Sequence, residues 1–283
     1  MNEDAYKKGP SKHRELPLNP LLPSTKMRAT SLSFVLTAIA SVAYGQTVYL
    51  AGDSTMAKGG GGSGTDGWGQ YLGQYLSIPT VNMAIAGRSA RSYTDEGRFT
   101  TLINTAKKGD FVIIEFGHND GTSGAVDNGR EDAVGSDTTT TTTVTESDGS
   151  TKVIHTFNYY MENAVNSLKA KGAIPIISSQ TPDNIWSGNV LSPASRFVGY
   201  AQLGASQTGV TYVDHFNYVA TQYESIGQST VNTYYPIDHT HTSVTGATVV
   251  AQAFVRGLVC GKSALASKVN SAGHAVPLSG KCL

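Results

Sequence analysis

The sequence has little cysteine, no net charge and few long apolar runs. Only Cys260 and Cys282 occur in the 283 residues, and the 21 basic and 21 acidic side chains cancel at neutral pH. Without a surplus of basic residues, the composition argues against a nucleic-acid partner. No Asn-x-Ser/Thr sequon is present, so N-glycosylation is not expected.

The longest apolar run stands near the amino terminus. Residues 32–43 are almost all apolar or small, and Lys26 and Arg28 precede them. This pattern is typical of a secretory signal peptide, and the run is about half as long as a membrane-spanning helix. We therefore expect a secreted, extracellular protein without a membrane anchor. The predicted division is a disordered extension over 1–26, a signal peptide over 27–45 and one catalytic domain over 46–283.

Removal of the leader leaves a slightly acidic chain. Six of the 21 basic and three of the 21 acidic residues lie in 1–45, so 15 basic and 18 acidic residues remain. In a secreted protein, Cys260 and Cys282 are expected to form a disulfide. Closing a loop of that length stabilises a fold by about 3 kcal/mol. No linker separates two cores, so we expect a single domain that acts as a monomer.

Short apolar runs alternate with longer amphipathic segments along the chain. Because the strand segments are nearly all apolar, they indicate a parallel sheet covered on both faces. The predicted fold is an α/β, flavodoxin-like three-layer α/β/α sandwich with a five-stranded parallel sheet, and its ligand crevice should lie at the carboxyl ends of the strands. Strands are predicted at 48–51, 80–84, 111–116, 174–178 and 212–213, and helices at 69–76, 99–106, 157–171, 194–208 and 244–259.

Two loops interrupt this alternation. The glycine-rich segment 58–64 lacks the Gly-Lys-Ser/Thr ending of a phosphate-binding loop, and we expect a mobile loop that can border the substrate. The threonine run 138–143 lies within a polar stretch over 121–150 and predicts an exposed excursion.

Residues with hydrolytic chemistry stand at both ends of the chain. Ser54 follows the first predicted strand, at the edge of the sheet where open α/β folds place their sites. Asp238 and His241 are three residues apart before the last predicted helix, so one turn can bring the carboxylate against the imidazole. A serine nucleophile needs such a base and such an orienting carboxylate. The pattern therefore predicts a nucleophilic site.

Three other interpretations of the second segment stay open. Asp238 and its neighbours can serve as turn and helix-cap residues. Asp238, His239 and His241 can act as metal ligands, although no cysteine pair or His-Glu-x-x-His motif completes such a site. His239 can also replace His241 as the base, although adjacent side chains such as those of Asp238 and His239 usually diverge.

Two segments between these ends offer hydrogen-bond donors. Gly87 follows the second predicted strand, and a glycine allows its backbone N–H to approach a ligand closely. Asn119 follows the third strand and carries a side-chain amide. Taken singly, each residue is better explained as a turn residue than as a functional one. Together with Ser54 they suggest donors for an oxyanion.

The motifs in this order resemble those of a known family. Gly-Asp-Ser-Thr at 52–55, Ala-Gly-Arg-Ser-Ala-Arg-Ser at 86–92, Gly-His-Asn-Asp at 117–120 and Asp-x-x-His at 238–241 are similar to the SGNH (GDSL-like) hydrolases, and within them to the fungal rhamnogalacturonan acetylesterases. The resemblance covers essentially residues 47–283. The Gly-x-Ser-x-Gly elbow of α/β-hydrolases is absent.

The resemblance implies a role for each matched residue. Ser54 would be the nucleophile, His241 the general base and acid, and Asp238 its orienting carboxylate. The oxyanion would be held by the backbone N–H groups of Ser54 and Gly87 and by the amide of Asn119. The resemblance also implies a flavodoxin-like fold, a C-terminal disulfide and no metal or organic cofactor.

The substrate class is a further expectation from the resemblance. It would be an acetylated pectic polysaccharide, whose galacturonate carboxylates could bind Arg88 or Arg91. Arg88, Arg91 and Arg98 could equally be solvated or paired with Asp95 and Glu96. Acetylated xylan, small acetyl esters and a catalytically silent carbohydrate-binding protein are the alternatives. Some relatives carry a second cysteine pair in the loop over 127–150, where this chain has Ala133 and threonines.

Overall fold

Five parallel strands form the central sheet. The structure is a computed structural model that describes residues 45–276 and 282–283. The predicted extension over 1–26 and all but one residue of the predicted signal peptide over 27–45 lie outside the described residues. The described residues contain nine strands, of which β1, β2, β3, β6 and β9 form the central sheet. The strands are β1 (Val48–Gly52), β2 (Thr80–Asn82), β3 (Phe111–Glu115), β4 (Thr141–Thr145), β5 (Thr151–His155), β6 (Ile174–Ser178), β7 (Trp186–Ser187), β8 (Val190–Leu191) and β9 (Thr211–Val213).

Eight α-helices and three short 3-10 helices accompany the strands in the described residues. In that part of the chain, no helix combines the length and the apolarity needed to cross a bilayer. The α-helices are α1 (Ala90–Asp95), α2 (Arg98–Thr105), α3 (Phe157–Ala170), α4 (Arg196–Thr208), α5 (His215–Ile226), α6 (Gln228–Asn232), α7 (Val244–Cys260) and α8 (Ser271–His274). The 3-10 helices are Trp68–Gln70, Leu72–Tyr75 and Ala264–Lys268.

The strand order confirms the predicted fold. The sheet runs β2-β1-β3-β6-β9 with every neighbouring pair parallel. Counted over these five strands in chain order, this is the 2-1-3-4-5 order of flavodoxin-like proteins. In this order β2 lies on one side of β1 and β3 lies on the other. The connections that follow β1 and β3 therefore diverge, which opens a crevice beyond the carboxyl ends of these two strands. Ser54 follows β1 at this crevice.

Alternate residues of the buried strands supply two separate apolar cores. Val48 and Leu50 pack on the face covered by α5, α7 and the first two 3-10 helices. Tyr49 and Ala51 point to the opposite face, which α1 to α4 cover. All five residues of β1 are buried. Burial on both faces is why the strands lack polar alternation.

The helix predicted at 69–76 is wrong in type. The segment forms two successive 3-10 helices, and Leu76 pairs as an isolated bridge with Val269. Glycine disfavours a helix interior by about 1 kcal/mol, and the segment contains two. A Cβ on Gly69 would come within 2.7 Å of the Met56 carbonyl oxygen, so the tight turns bring this backbone close to the loop after β1.

Helix α5 is absent from the prediction. Its aromatic and β-branched residues have weak helix propensity, which hides it from composition. The buried residues Phe216, Val219 and Tyr223 nevertheless recur at helical spacing. Packing against α7 decides this element, because both helices contribute to one core.

The threonine run is exposed, as predicted, but it is regular. Four of the five residues of β4 are exposed, and β4 pairs antiparallel with β5 as a hairpin. Threonine is β-branched and suits a strand. Val144 anchors the hairpin, because it is buried with Ala133 and Ile154 in a small core of its own.

Candidate active site

The turn after β1 presents Ser54. The Asp53 side chain lies beneath it and accepts hydrogen bonds from the backbone N–H and the hydroxyl of Thr55, at 2.9 and 2.8 Å. Burial raises the pKa of Asp53. A Cβ on Gly52 would lie 2.8 Å from the Glu115 carbonyl oxygen of β3, so only glycine permits this approach of the two strands.

Ser54, His241 and Asp238 form one hydrogen-bonded chain. The Ser54 hydroxyl lies 2.8 Å from Nε2 of His241, and Nδ1 of His241 lies 2.6 Å from an Asp238 carboxylate oxygen. The other carboxylate oxygen accepts the backbone N–H groups of Thr240 and His241 at 2.8 and 2.7 Å. Partial burial opposes ionisation, but these hydrogen bonds with His241 and Thr240 hold the pKa of Asp238 below its usual value. A base and its orienting carboxylate thus face the serine.

His239 takes no part in this chain. Its side chain is exposed, and its carbonyl oxygen accepts the backbone N–H of Asn184 at 2.7 Å. The interpretation in which His239 replaces His241 as the base therefore fails on geometry. In the part of the chain that the structure describes, no group of three or more His, Cys, Asp or Glu residues could hold a metal ion.

Gly87 and Asn119 flank the serine. Gly87 follows the strand-end turn with φ +74°, in the left-handed region that favours glycine. Among the described residues, the backbone N–H groups of Ser54 and Gly87 donate to no protein acceptor. The Asn119 amide donates one hydrogen to the Arg88 carbonyl oxygen at 3.1 Å, and its oxygen accepts from Arg130 at 3.3 Å. The second Asn119 amide hydrogen stays available to a ligand.

These groups open into a pocket of about 630 Å³. Its wall includes the glycine-rich segment, so this loop borders the pocket. A Cβ on Gly61 would lie 2.4 Å from the His241 ring, which shows how closely the loop backbone covers the imidazole. Thr65 Oγ1 holds the loop by donating to the Gly62 carbonyl oxygen at 2.7 Å. The pocket residues are Ser54, Lys58, Gly59, Gly60, Gly61, Gly62, Ala86, Gly87, Asn119, Arg130 and His241.

The sequence matches a known family of hydrolases. The model described as GDSL-like Lipase/Acylhydrolase matches residues 48–254, which is well over half of the chain. The chain belongs to the GDSL-like lipase/acylhydrolase family. It is a carboxylic ester hydrolase.

Curated relatives of this GDSL-like hydrolase are esterases by name. A rhamnogalacturonan acetylesterase of Emericella nidulans is 50% identical over 237 residues, which cover 83% of this chain and 92% of the relative. The rhamnogalacturonan acetylesterase RhgT of Bacillus subtilis is 25% identical, with 75% and 88% covered. The crystal structure of YXIM of Bacillus subtilis superposes with a TM-score of 0.60 at 23% identity, over 76% of this chain and 56% of that one. That likeness shows the fold alone.

The expectation that Arg91 binds the substrate is wrong. The Arg91 side chain is only 1% exposed and forms ion pairs with Asp127 at 2.6 Å and with Asp95 at 3.4 Å. It also donates to the Glu131 carbonyl oxygen at 3.0 Å. The side chain therefore ties the loop over 127–131 to α1 and has no free surface to offer a polysaccharide.

Arg88 keeps a partly exposed guanidinium near the site. Its Nε lies 3.0 Å from a Glu96 carboxylate oxygen, and Arg98 pairs with the same carboxylate. Hydrogen bonds from both arginines outweigh partial burial and lower the pKa of Glu96. The alternative of arginines paired with acidic neighbours thus describes Arg88 and Arg98 in the free enzyme.

Two buried aspartates lie directly behind Asn119, and sequence reasoning missed their pairing. Asp120 accepts the backbone N–H of Ala90 at 2.7 Å, and its carbonyl oxygen accepts the N–H of Asp132. Burial raises the pKa of both carboxyl groups. The charge of Asp120 raises the pKa of Asp132 further, whereas hydrogen bonds lower that of Asp120. The Asp132 carboxyl therefore keeps a proton that an exposed aspartate would lose. The only signal in the sequence is the position of Asp120 next to Asn119.

Proposed function

We propose that this GDSL-like hydrolase removes acetyl groups from acetylated rhamnogalacturonan. The observation that carries the reaction is the hydrogen-bonded chain from Ser54 through His241 to Asp238 at an open pocket. The substrate rests on the 50% identity to the Emericella nidulans rhamnogalacturonan acetylesterase. Arg88 remains a candidate for a substrate carboxylate, because a uronate could replace Glu96 as its partner.

The proposed mechanism follows from the distances. The Ser54 oxygen attacks the acetyl carbon while Nε2 of His241 takes the hydroxyl proton, and Asp238 stabilises the imidazolium. The backbone N–H groups of Ser54 and Gly87 and the Asn119 amide hold the developing oxyanion. His241 then protonates the departing sugar oxygen. A water activated by His241 releases acetate from the acyl-serine.

We further propose that the enzyme is secreted and acts as a monomer. The apolar segment over 32–43 behind two basic residues supports secretion, and so does the single disulfide. Amino-terminal sequencing of protein collected from a culture medium should give a start near Gln46. A start upstream of residue 27 would contradict the signal peptide.

Ser54→Ala tests the proposal. The variant should release no measurable acetate from acetylated rhamnogalacturonan and should fold with an unchanged melting temperature, because it removes one oxygen atom. Wild type, but not the variant, should be labelled stoichiometrically by a serine-reactive organophosphate. His239→Ala is the matched control and should keep full activity, since this side chain is exposed outside the site.

The substrate panel separates the alternatives. Acetylated rhamnogalacturonan, acetylated xylan and a small neutral acetyl ester are compared by acetate release. Equal rates on all three would favour a broad acetylesterase. Retained turnover in Ser54→Ala would overturn the mechanism, and no turnover by wild type on any ester would favour a carbohydrate-binding protein.

A further inference from the structure

The charged side chains of the pocket wall carry one sign. Lys58 and Arg130 line the pocket together with the imidazole of His241, and no Asp or Glu is among the described residues that line it. Lys58 starts the glycine-rich loop, whereas Arg130 comes from the loop after β3. Two cations on a wall whose described lining residues include no carboxylate make the pocket attractive to an anionic ligand.

Neither cation is neutralised by the protein. Among the described residues, Lys58 and Arg130 form no ion pair, whereas Arg88, Arg91 and Arg98 each pair with a carboxylate. The protein thus provides carboxylate partners for these three arginines, which do not line the pocket. The two cations that line the pocket, Lys58 and Arg130, are therefore available to a ligand.

Within the part of the chain that the structure describes, the Arg130 guanidinium forms one hydrogen bond with the protein and keeps its other N–H donors free. One nitrogen donates to the Asn119 side-chain oxygen at 3.3 Å, and the same nitrogen lies 3.8 Å from the position of a Cβ on Gly87. A guanidinium carries five N–H donors in a planar fork that matches a carboxylate. The remaining donors have no protein acceptor in the described part of the chain.

Arg130 also lies at the border between the pocket and a second depression. It lines a neighbouring depression of about 350 Å³, which shares Gly87 with the catalytic pocket and is also lined by the ion pair of Arg88 and Glu96. A polymer chain lying across Ser54 would continue into this depression. Such a chain would pass the Arg130 side chain, which lines both the pocket and the depression.

We propose that Arg130 and Lys58 form a carboxylate-binding site for a uronate of the acetylated polysaccharide and thereby select acidic over neutral polymers. This inference rests on the proposed function and deepens it, since a rhamnogalacturonan backbone carries a carboxylate on each uronate and a xylan backbone carries none. Arg130 is a specificity residue through its free fork, and Lys58 adds charge from the opposite loop.

The test varies the charge on both partners. Wild type, Arg130→Gln and Lys58→Gln are assayed for acetate release from acetylated rhamnogalacturonan with free carboxylates and from the same polymer after methyl esterification. Wild type should prefer the free-acid polymer about tenfold in kcat/KM, because a hydrogen bond to a charged group is worth about one to two powers of ten. Each variant should lose most of that preference, chiefly through a higher KM, with a smaller loss on the methyl ester.

Arg98→Gln is the control, because it removes a partly exposed arginine that pairs with Glu96 outside the pocket. It should keep the wild-type preference. Equal rates of wild type on both polymers, or an equal loss on both in Arg130→Gln, would overturn the inference, and the second result would limit Arg130 to positioning Asn119. If wild type cleaves a small acetyl ester but neither polymer, the proposed function fails and this inference fails with it.

Discussion

The His241 imidazole is held on both sides by charge and hydrogen bonding. One ring nitrogen faces the Asp238 carboxylate and the other faces the Ser54 hydroxyl. Because its hydrogen bonds keep the pKa of Asp238 low, that carboxylate stays ionised well into mildly acidic solution. The ring orientation therefore does not depend on substrate.

Asn119→Ala tests the proposed oxyanion donor at the residue scale. The variant should lower kcat by about 10²–10³ with little change in KM, because the amide acts on charge that develops only in the transition state. The exposed residue Asn163 on α3 gives a control, and Asn163→Ala should match wild type in steady-state kinetics. A loss confined to KM would contradict the assigned role.

Asp132→Asn tests the shared proton of the buried pair. Because the folded pKa is raised above the unfolded value of about 3.9, the folded protein keeps a proton that the unfolded chain releases. Stability should therefore fall as pH rises above about 4, by up to about 1.4 kcal/mol per pH unit until the folded carboxyl titrates. The asparagine amide can donate to Asp120 at any pH.

Thermal unfolding of both proteins at several values between pH 5 and pH 8 measures this effect. The wild-type melting temperature should fall more steeply with pH than that of Asp132→Asn. Parallel curves would show that the pair holds no additional proton.

At the scale of elements, Asp66, which follows the glycine-rich loop, is hydrogen-bonded to Thr242 in the segment before α7. The Asp66 backbone N–H donates to the Thr242 carbonyl oxygen at 2.8 Å, and Thr242 Oγ1 donates to the Asp66 carbonyl oxygen at 3.1 Å. These two bonds clamp the loop beside His241. A Cβ added at Gly61 would come within 2.4 Å of the imidazole.

Gly61→Ala should therefore impair activity more than stability. The new methyl group would meet the His241 ring at 2.4 Å, and the ring cannot move without breaking its bond to Ser54 or Asp238. We expect kcat to fall by at least about tenfold, since misplacement by about 1 Å costs up to 10²-fold. Ser63→Ala in the same loop serves as the control in the same kinetic assay, and equal activities of the two variants would refute the close contact.

At the scale of the whole molecule, one disulfide ties the carboxyl terminus to the sheet layers. Cys260 at the end of α7 is bonded to Cys282, with Cα atoms 5.4 Å apart and a sequence separation of 22. The Leu283 backbone N–H lies 3.3 Å from the Tyr218 hydroxyl of α5. The last two residues thus contact α5 and the end of α7.

The double variant Cys260→Ala, Cys282→Ala should lower the free energy of unfolding by about 3 kcal/mol, because the unfolded chain gains the freedom of an open loop. Acetate release at 25 °C should stay at the wild-type level. Urea denaturation measures the stability change, and each single variant should match the double one. An unchanged midpoint, or a loss of activity in the folded variant, would contradict this account.

The fold class and the contact between Asp238 and His241 could be predicted from the sequence, whereas several other side-chain partners could not. Apolar runs of strand length mark β1, β3 and β6, because strands buried on both faces have no polar residues. The spacing of Asp238 and His241 predicts their contact, since three positions form one turn. Composition cannot find α5, whose helix depends on its packing, or the partner of Arg91, which lies 36 positions away at Asp127.

The sequence by itself determined the fold class and which residue types meet at the sheet edge, because periodicity and strand-end motifs are local properties. The tertiary structure alone decided which arginine reaches the pocket. Arg91 and Arg130 are equally basic in the sequence, but burial against Asp127 removes one and the loop after β3 brings the other to Asn119. The partner of Arg91 is distant in sequence, and only packing brings such partners together.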